Sequence, residues 1–234
     1  MTTEGACNVP RSEVAERLLE VYRRLYQAYG PQGWWPAQSP FEVMVGAILT
    51  QAAAWTNVER AIERLRAAGA LSPEAILALP DEELAALVRP AGYFNAKARK
   101  LKALCRLIVD GFAGDVAAML AHDPEDLRSR LLATYGIGPE TADSILLYAA
   151  GRPYFVVDAY TQRLFRRLGL GPPRNGYHDW QAFFMAHLPR DAALYNEFHA
   201  LVVRHGKERC RARPRCLGCP ALEICPTGQA QVST

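Results

Sequence analysis

Four cysteines crowd into the last 25 residues of the chain: Cys210, Cys216, Cys219 and Cys225. The gaps between them are five, two and five residues. Thiolates are soft ligands, and four on one compact loop can hold a 4Fe-4S cluster. Zinc is the rival metal, although structural zinc sites commonly use two short knuckles and a single C-x2-C occurs here. Such crowding suits a metal site in a reducing compartment better than a distributed disulfide framework. Arg211, Arg213 and Arg215 lie between the first two cysteines, where a metal-pinned loop would present them to phosphates.

A second pattern is YGIGPETA at residues 135–142. Gly136 and Gly138 permit positive φ and close backbone approach, and Pro139 costs no hydrogen bond at a first helical position. The turn therefore opens a helix whose first N–H groups are available to a phosphate. A nucleotide P-loop requires a lysine and hydroxyl after its last glycine, and a dinucleotide site requires a preceding strand. Neither occurs, so no nucleotide cofactor is expected. Two readings of the turn remain: a helical hairpin gripping a nucleic-acid backbone, which carries no base information in itself, or an ordinary connection between helices. The cysteine-bearing basic tail favours the first. Asp158, a carboxylate closing the apolar run 154–157, is placed to cap a helix over 159–168.

Helical periodicity dominates the elements that must position these groups. Val14, Leu18, Val21, Tyr22 and Leu25 share a face after a Ser12 cap; Phe41, Met44, Val45, Ile48 and Leu49 do so after Ser39-Pro40. Ala142, Ile145, Leu146 and Ala149 continue the pattern beyond the hairpin, and Pro80-Asp81 and Asp123-Pro124 signal further starts. Residues 169–176, rich in glycine and proline, read as a loop. The expected fold class is all-α.

With 234 residues, half of them hydrophobic and 22% charged, the composition is that of a globular protein. Net charge is only +3, but Lys97, Arg99, Lys100 and Lys102 form one basic group and residues 204–215 another, which allows a local positive stripe. No membrane-length apolar run and no signal-peptide pattern is present, so a soluble cytoplasmic protein is expected.

LLATYGIGPETADSILLYA, then VVDAYTQRLFRRLG, then HGKERC and the cysteine tail together resemble the endonuclease III superfamily of helix-hairpin-helix DNA glycosylases, over about residues 34–225. The resemblance implies two helical lobes with the active cleft between them. One is a helical barrel of residues 41–152 ending in the hairpin; the other joins 1–40 to 153–234 and carries the 4Fe-4S loop 210–225. It places Asp158 at the family's catalytic aspartate, where a carboxylate stabilises the cation formed as a glycosidic bond breaks and can deprotonate water. The position of the lyase members' Schiff-base lysine holds Glu140, which cannot form an imine. A monofunctional glycosylase of base excision repair is implied, acting as a monomer on double-stranded DNA that contains a damaged base. By the same resemblance Gln51 fills the gap left by the flipped base. Gly92, Asn95 and Lys97 belong to a backbone-contacting loop, and Gly136, Ile137, Gly138, Glu140 and Thr141 form the DNA-binding hairpin. One departure is the first cysteine gap, five residues here and six in the family.

Trp34-Trp35-Pro36 and Trp55 resemble the 3-methyladenine glycosylase subgroup, which implies an aromatic pocket for alkylated purines, with Lys207 near it or on a phosphate. Alkylated purines are often cationic, and aromatic faces attract cations; the competing reading is that these tryptophans are core packing. Rival functions are excision of oxidised pyrimidine, uracil or mismatched thymine, a non-catalytic DNA-binding module, and an electron-transfer protein.

Overall fold

The computed structural model describes residues 11–233, and no described residue lies in a β-strand. The first helix, α1, spans Arg11–Tyr29. The side chain of Ser12, expected to cap it, and Cys7 lie outside the described residues. Then follow α2 (Pro40–Leu49), α3 (Trp55–Ala67), α4 (Pro73–Ala78), α5 (Asp81–Val88), α6 (Phe94–Phe112), α7 (Val116–Ala121), α8 (Pro124–Ala133) and α9 (Pro139–Ser144). The last helices are α10 (Ala159–Arg167), α11 (Tyr177–His187), α12 (Ala192–Glu208) and α13 (Pro226–Val232).

Local chemistry explains the starts. Ser39 accepts the Glu42 N–H and Asp123 accepts those of Glu125 and Asp126, each with proline as the next residue, whose fixed φ suits a first turn. α5 begins at Asp81 with Pro80 before it and no side-chain cap, but with Asp81, Glu82 and Glu83 against the positive end of the helix dipole.

The chain divides into two compact units. One is Trp34–Tyr154; the other joins the chain up to Gly33 with residues from Phe155 onward. The barrel expected from the sequence began at 41. The earlier start follows from Trp35, which seats on Gly46 of α2: a Cβ added at Gly46 would lie 2.9 Å from Trp35 Cζ2.

In the first unit α2 is apolar nearly all round and buried from Phe41 to Leu49, as befits a central helix. It packs on α3, α6 and the π-helical turn Ile145–Ala149 that continues α9. Asp143 of α9 is wholly buried and accepts two bonds from Arg128 of α8, Nε to Oδ1 at 2.7 Å and Nη2 to Oδ2 at 3.1 Å. This fork fastens the hairpin helix to its neighbour. Breaking a buried pair strands its partner's charge, so Asp143→Ala is expected to cost about 3–5 kcal/mol. The check is a lower urea midpoint at unchanged m-value; a midpoint within error of the parent would contradict it.

In the second unit Phe155, Phe165, Phe184 and Phe198 make the core, with Phe155 and Phe184 stacked at 4.2 Å and the other pairs edge-on. Gln181 Nε2 donates to Phe155 O at 2.9 Å. Residues 155–157 are buried without regular structure, and they deliver Asp158, in extended conformation, to the start of α10.

Candidate active site and nucleic-acid interface

Asp158 caps α10: its Oδ1 accepts the Thr161 N–H at 2.7 Å and the Thr161 hydroxyl at 2.8 Å. Oδ2 stands 3.7 Å from His199 Nε2 of α12. Burial pushes the carboxyl up, but His199 and the two Thr161 bonds outweigh it and hold its pKa below the ordinary carboxylate value. Capping and reactivity are compatible, because Thr161 uses one oxygen and leaves the other. Thr161 is legible in the sequence as the third residue after a cap; His199 carries no local signal and went unrecognised.

In the hairpin Gly136 has φ +80°, and a Cβ there would lie 2.3 Å from Lys100 Cγ. Gly138 opens α9 in extended conformation with open space where a Cβ would stand. Glu140 is exposed on the first turn. Several side chains expected on DNA are instead committed within the protein. Ile137 is in the core, with its N–H donated to Thr134 O. Thr141 is buried, and its hydroxyl accepts Gln51 Nε2 at 2.9 Å. Gln51 also donates to Gly136 O at 3.1 Å and accepts from Lys100 Nζ at 2.5 Å, so it ties the end of α2 to the hairpin.

Lys97, expected on a backbone-contacting loop, faces the protein interior. Its side chain is 2% exposed, and Nζ donates to Leu49 O and Ala91 O at 2.8 and 2.7 Å. Burial, with Lys100 adding, lowers its pKa to about 8. A backbone-capping ammonium at that depth cannot reach a phosphate; it braces the two loops instead. Gly92 is half-buried with φ +70°, and Asn95 is exposed.

Trp34, Trp35 and Trp55 do come together, with ring centroids 4.9 to 5.4 Å apart, and Tyr148 joins Trp35 at 5.3 Å. Rings in mutual contact leave no slot between them for a base, which would need about twice the stacking distance, so a purine could use only an outer face. Pro36 is exposed. Tyr148 was not singled out in the sequence, though it falls on the helical continuation of the hairpin. Lys207 is exposed in the last turn of α12, within the unit that carries Asp158.

Cys210, Cys216, Cys219 and Cys225 line one cavity together with Leu164, Pro214, Ala221 and Leu222, and none is in a disulfide. Arg167 Nη1 donates to Cys210 Sγ at 3.2 Å and the Gly228 N–H to Cys225 Sγ at 3.3 Å. Burial first, then the neighbouring sulfurs, push the Cys216 and Cys219 thiols up. Among the described residues no three cysteine, histidine or carboxylate side chains are gathered as a ready-made site for one ion. Four soft donors lining one cavity, with N–H groups aimed at two of the sulfurs, nevertheless have the chemistry of a polynuclear iron–sulfur site. Arg211, Arg213 and Arg215 are exposed on the loop, and Arg211 Nε donates to Lys207 O at 2.6 Å.

No described helix is long and apolar enough to cross a membrane. Residues 45–190 match the profile of the HhH-GPD superfamily of base excision DNA repair proteins. A Methanocaldococcus jannaschii protein assigned by name as a DNA repair glycosylase is 45% identical over 212 residues, 90% of this chain and 96% of that one. The Helicobacter pylori 3-methyladenine DNA glycosylase bound to 1,N6-ethenoadenine is 28% identical, with a TM-score of 0.70 over 86% of this chain and 98% of that one. An endonuclease III in non-covalent complex with DNA shares the fold, with a TM-score of 0.81 at 23% identity over 94% of this chain and 99% of that one. The chain belongs to the HhH-GPD superfamily and is a DNA-binding DNA glycosylase of base excision repair.

Proposed function

We propose that this glycosylase is monofunctional and hydrolyses an alkylated purine of the 3-methyladenine kind from double-stranded DNA. The observation that carries the reading is Glu140 on the exposed first turn of the hairpin helix, where an amine would be needed for lyase chemistry. The chain has four lysines. Lys97 is held by two carbonyls, Lys100 by Gln51 and Lys102 by Leu79 O and Asp81, which leaves Lys207.

The target nucleotide must first leave the stack. As the C1′–N bond breaks, the base departs with the bonding pair and positive charge builds on the deoxyribose. The Asp158 carboxylate stabilises that cation. Its Oδ2 takes the proton that water loses as the water oxygen bonds to C1′, and an abasic site remains. Alkylation at a ring nitrogen weakens the bond, so no strong general acid is required, and it makes the purine cationic, which suits the outer faces of the Trp34, Trp35 and Trp55 cluster. The likeness to the Helicobacter pylori enzyme supports this choice of base. Cys210, Cys216, Cys219 and Cys225 would hold a 4Fe-4S cluster, which when bound pins the loop carrying Arg211, Arg213 and Arg215.

Single-lesion duplexes treated with borohydride during turnover test this. Release of 3-methyladenine, an intact abasic strand and no trapped protein–DNA adduct are expected. A trapped adduct would remove the monofunctional reading. Release confined to oxidised pyrimidine, uracil or mismatched thymine would overturn the substrate.

A further inference from the structure

The carboxylate on which the proposed hydrolysis depends has a partner from another helix. Thr161 completes the cap of α10 through Oδ1 alone, so capping has no need of a histidine. His199 Nε2 nonetheless stands 3.7 Å from Oδ2, with only 10% of its side chain and 13% of that of Asp158 exposed. α10 and α12 pack on each other, and Tyr195 and Phe198 of α12 sit edge-on to Phe155 at 5.3 and 6.0 Å. The imidazole is thus carried by a well-anchored helix, at the one oxygen of Asp158 that Thr161 does not use.

We propose that His199 is a positioning residue for base excision, whose imidazole orients the Oδ2 side of Asp158 and, as imidazolium, keeps that carboxylate anionic. This rests on Asp158 being the reacting carboxylate. A buried carboxylate without a cation would protonate at higher pH, because desolvation penalises its charged form. Besides the pair, α10 carries Tyr160, Arg163, Arg166 and Arg167, α12 carries Tyr195, Glu197, Arg204, His205, Lys207 and Glu208, and α1 brings Tyr22 among others. Arg166 is bound to Gln162 and Asn175, Arg167 to Cys210 Sγ and the carbonyls of Arg211 and Ala212, and Arg204 to Glu208 and Tyr29 O, while Glu197 accepts the Gln32 N–H. Arg163 is bound to Cys210 O and Gly206 O, and His205 to the Tyr29 hydroxyl. Burial raises both Tyr22 and Tyr195, so neither is an anion near neutrality. His199 is the basic side chain that stands against the Asp158 carboxylate, with Nε2 3.7 Å from Oδ2.

The sign follows. His199 and Thr161 lower the Asp158 pKa against desolvation, so removing His199 raises it. Excision needs the ionised carboxylate, so its acid limb moves to higher pH; because the two groups are coupled, that limb belongs to the pair. The test is a carbon-13 NMR titration of aspartate side chains in the full-length wild type, His199→Leu and His199→Gln, with Asp158→Asn used to assign the resonance. The Asp158 midpoint is expected to rise by about one pH unit or more in His199→Leu, less in His199→Gln, which keeps a donor. The acid limb of single-turnover excision should shift in parallel while affinity for the duplex holds. A packing role alone would lower the rate equally at every pH. An Asp158 midpoint equal to wild type in His199→Leu overturns the proposal, and if that variant does not fold, the same criterion applies to His199→Gln. Excision by Asp158→Asn would remove the reading of Asp158 and this proposal with it, whereas an unmoved midpoint removes this proposal alone.

Discussion

Replacing Asp158 with asparagine should reduce single-turnover base excision by about a thousandfold, the scale on which charge stabilisation and proton transfer by one group operate. Affinity for the lesion duplex should stay within a few-fold. An amide keeps the shape of the side chain, and its oxygen can still accept the Thr161 N–H that starts α10. On the proposed mechanism, the losses are the negative charge that stabilises the sugar cation and the acceptor for the proton of the attacking water. A thermal melt close to the parent's would establish that the cap survives. Excision within tenfold of wild type would instead reduce Asp158 to a helix cap and assign the chemistry to another carboxylate.

A comparably large effect is expected at the cysteine loop. Cys225→Ser removes one of four sulfurs that line a common cavity, and the one that accepts the Gly228 N–H at the start of α13. Purified wild type should contain about four irons per chain with visible charge-transfer absorbance, and the variant should lose both. Arg211, Arg213 and Arg215 are exposed on the same loop. Freed from the metal, they should no longer meet phosphates as a fixed set. DNA affinity should then fall by about tenfold or more at moderate salt, and the slope of log K against log salt should become shallower by about one for each phosphate that is no longer neutralised. Stoichiometric zinc without iron in the wild type would overturn the cofactor. Unchanged affinity and slope in the metal-free variant would overturn the role of the loop.

Much of the fold was legible residue by residue. Ser39-Pro40 and Asp123-Pro124 begin helices because a short polar side chain satisfies the first N–H groups and a proline pre-sets the first turn. The nearly continuous apolar run of α2 marks a buried helix, and the loop over 169–176 falls where glycine and proline deny helical continuation. These are interactions within a few positions of sequence, so the chain carries them without help from its neighbours. The family was legible for a related reason: a hairpin, an aspartate and four cysteines in fixed order form a pattern too specific to recur by chance.

Lys97 shows where such reading stops. The family resemblance alone puts it in a backbone-contacting loop, yet the amine points inward to Leu49 O and Ala91 O. Spacing along the helix says which side Lys97 occupies, but not whether another segment covers that side. Gln51 is similar: three partners from the hairpin and α6 claim its amide, and none of them is near it in the chain.

By itself, then, the amino-acid order determined the all-helical class, the helix starts at Ser39-Pro40 and Asp123-Pro124, the hairpin, the four-sulfur loop and the carboxylate that begins α10, because each rests on local backbone chemistry or on spacing. Only the tertiary structure decided that Lys97 braces loops, that Tyr148 joins the tryptophans, and that His199 stands beside Asp158. Those facts depend on which helix packs against which, and burial and long-range electrostatics exist only once the packing is made.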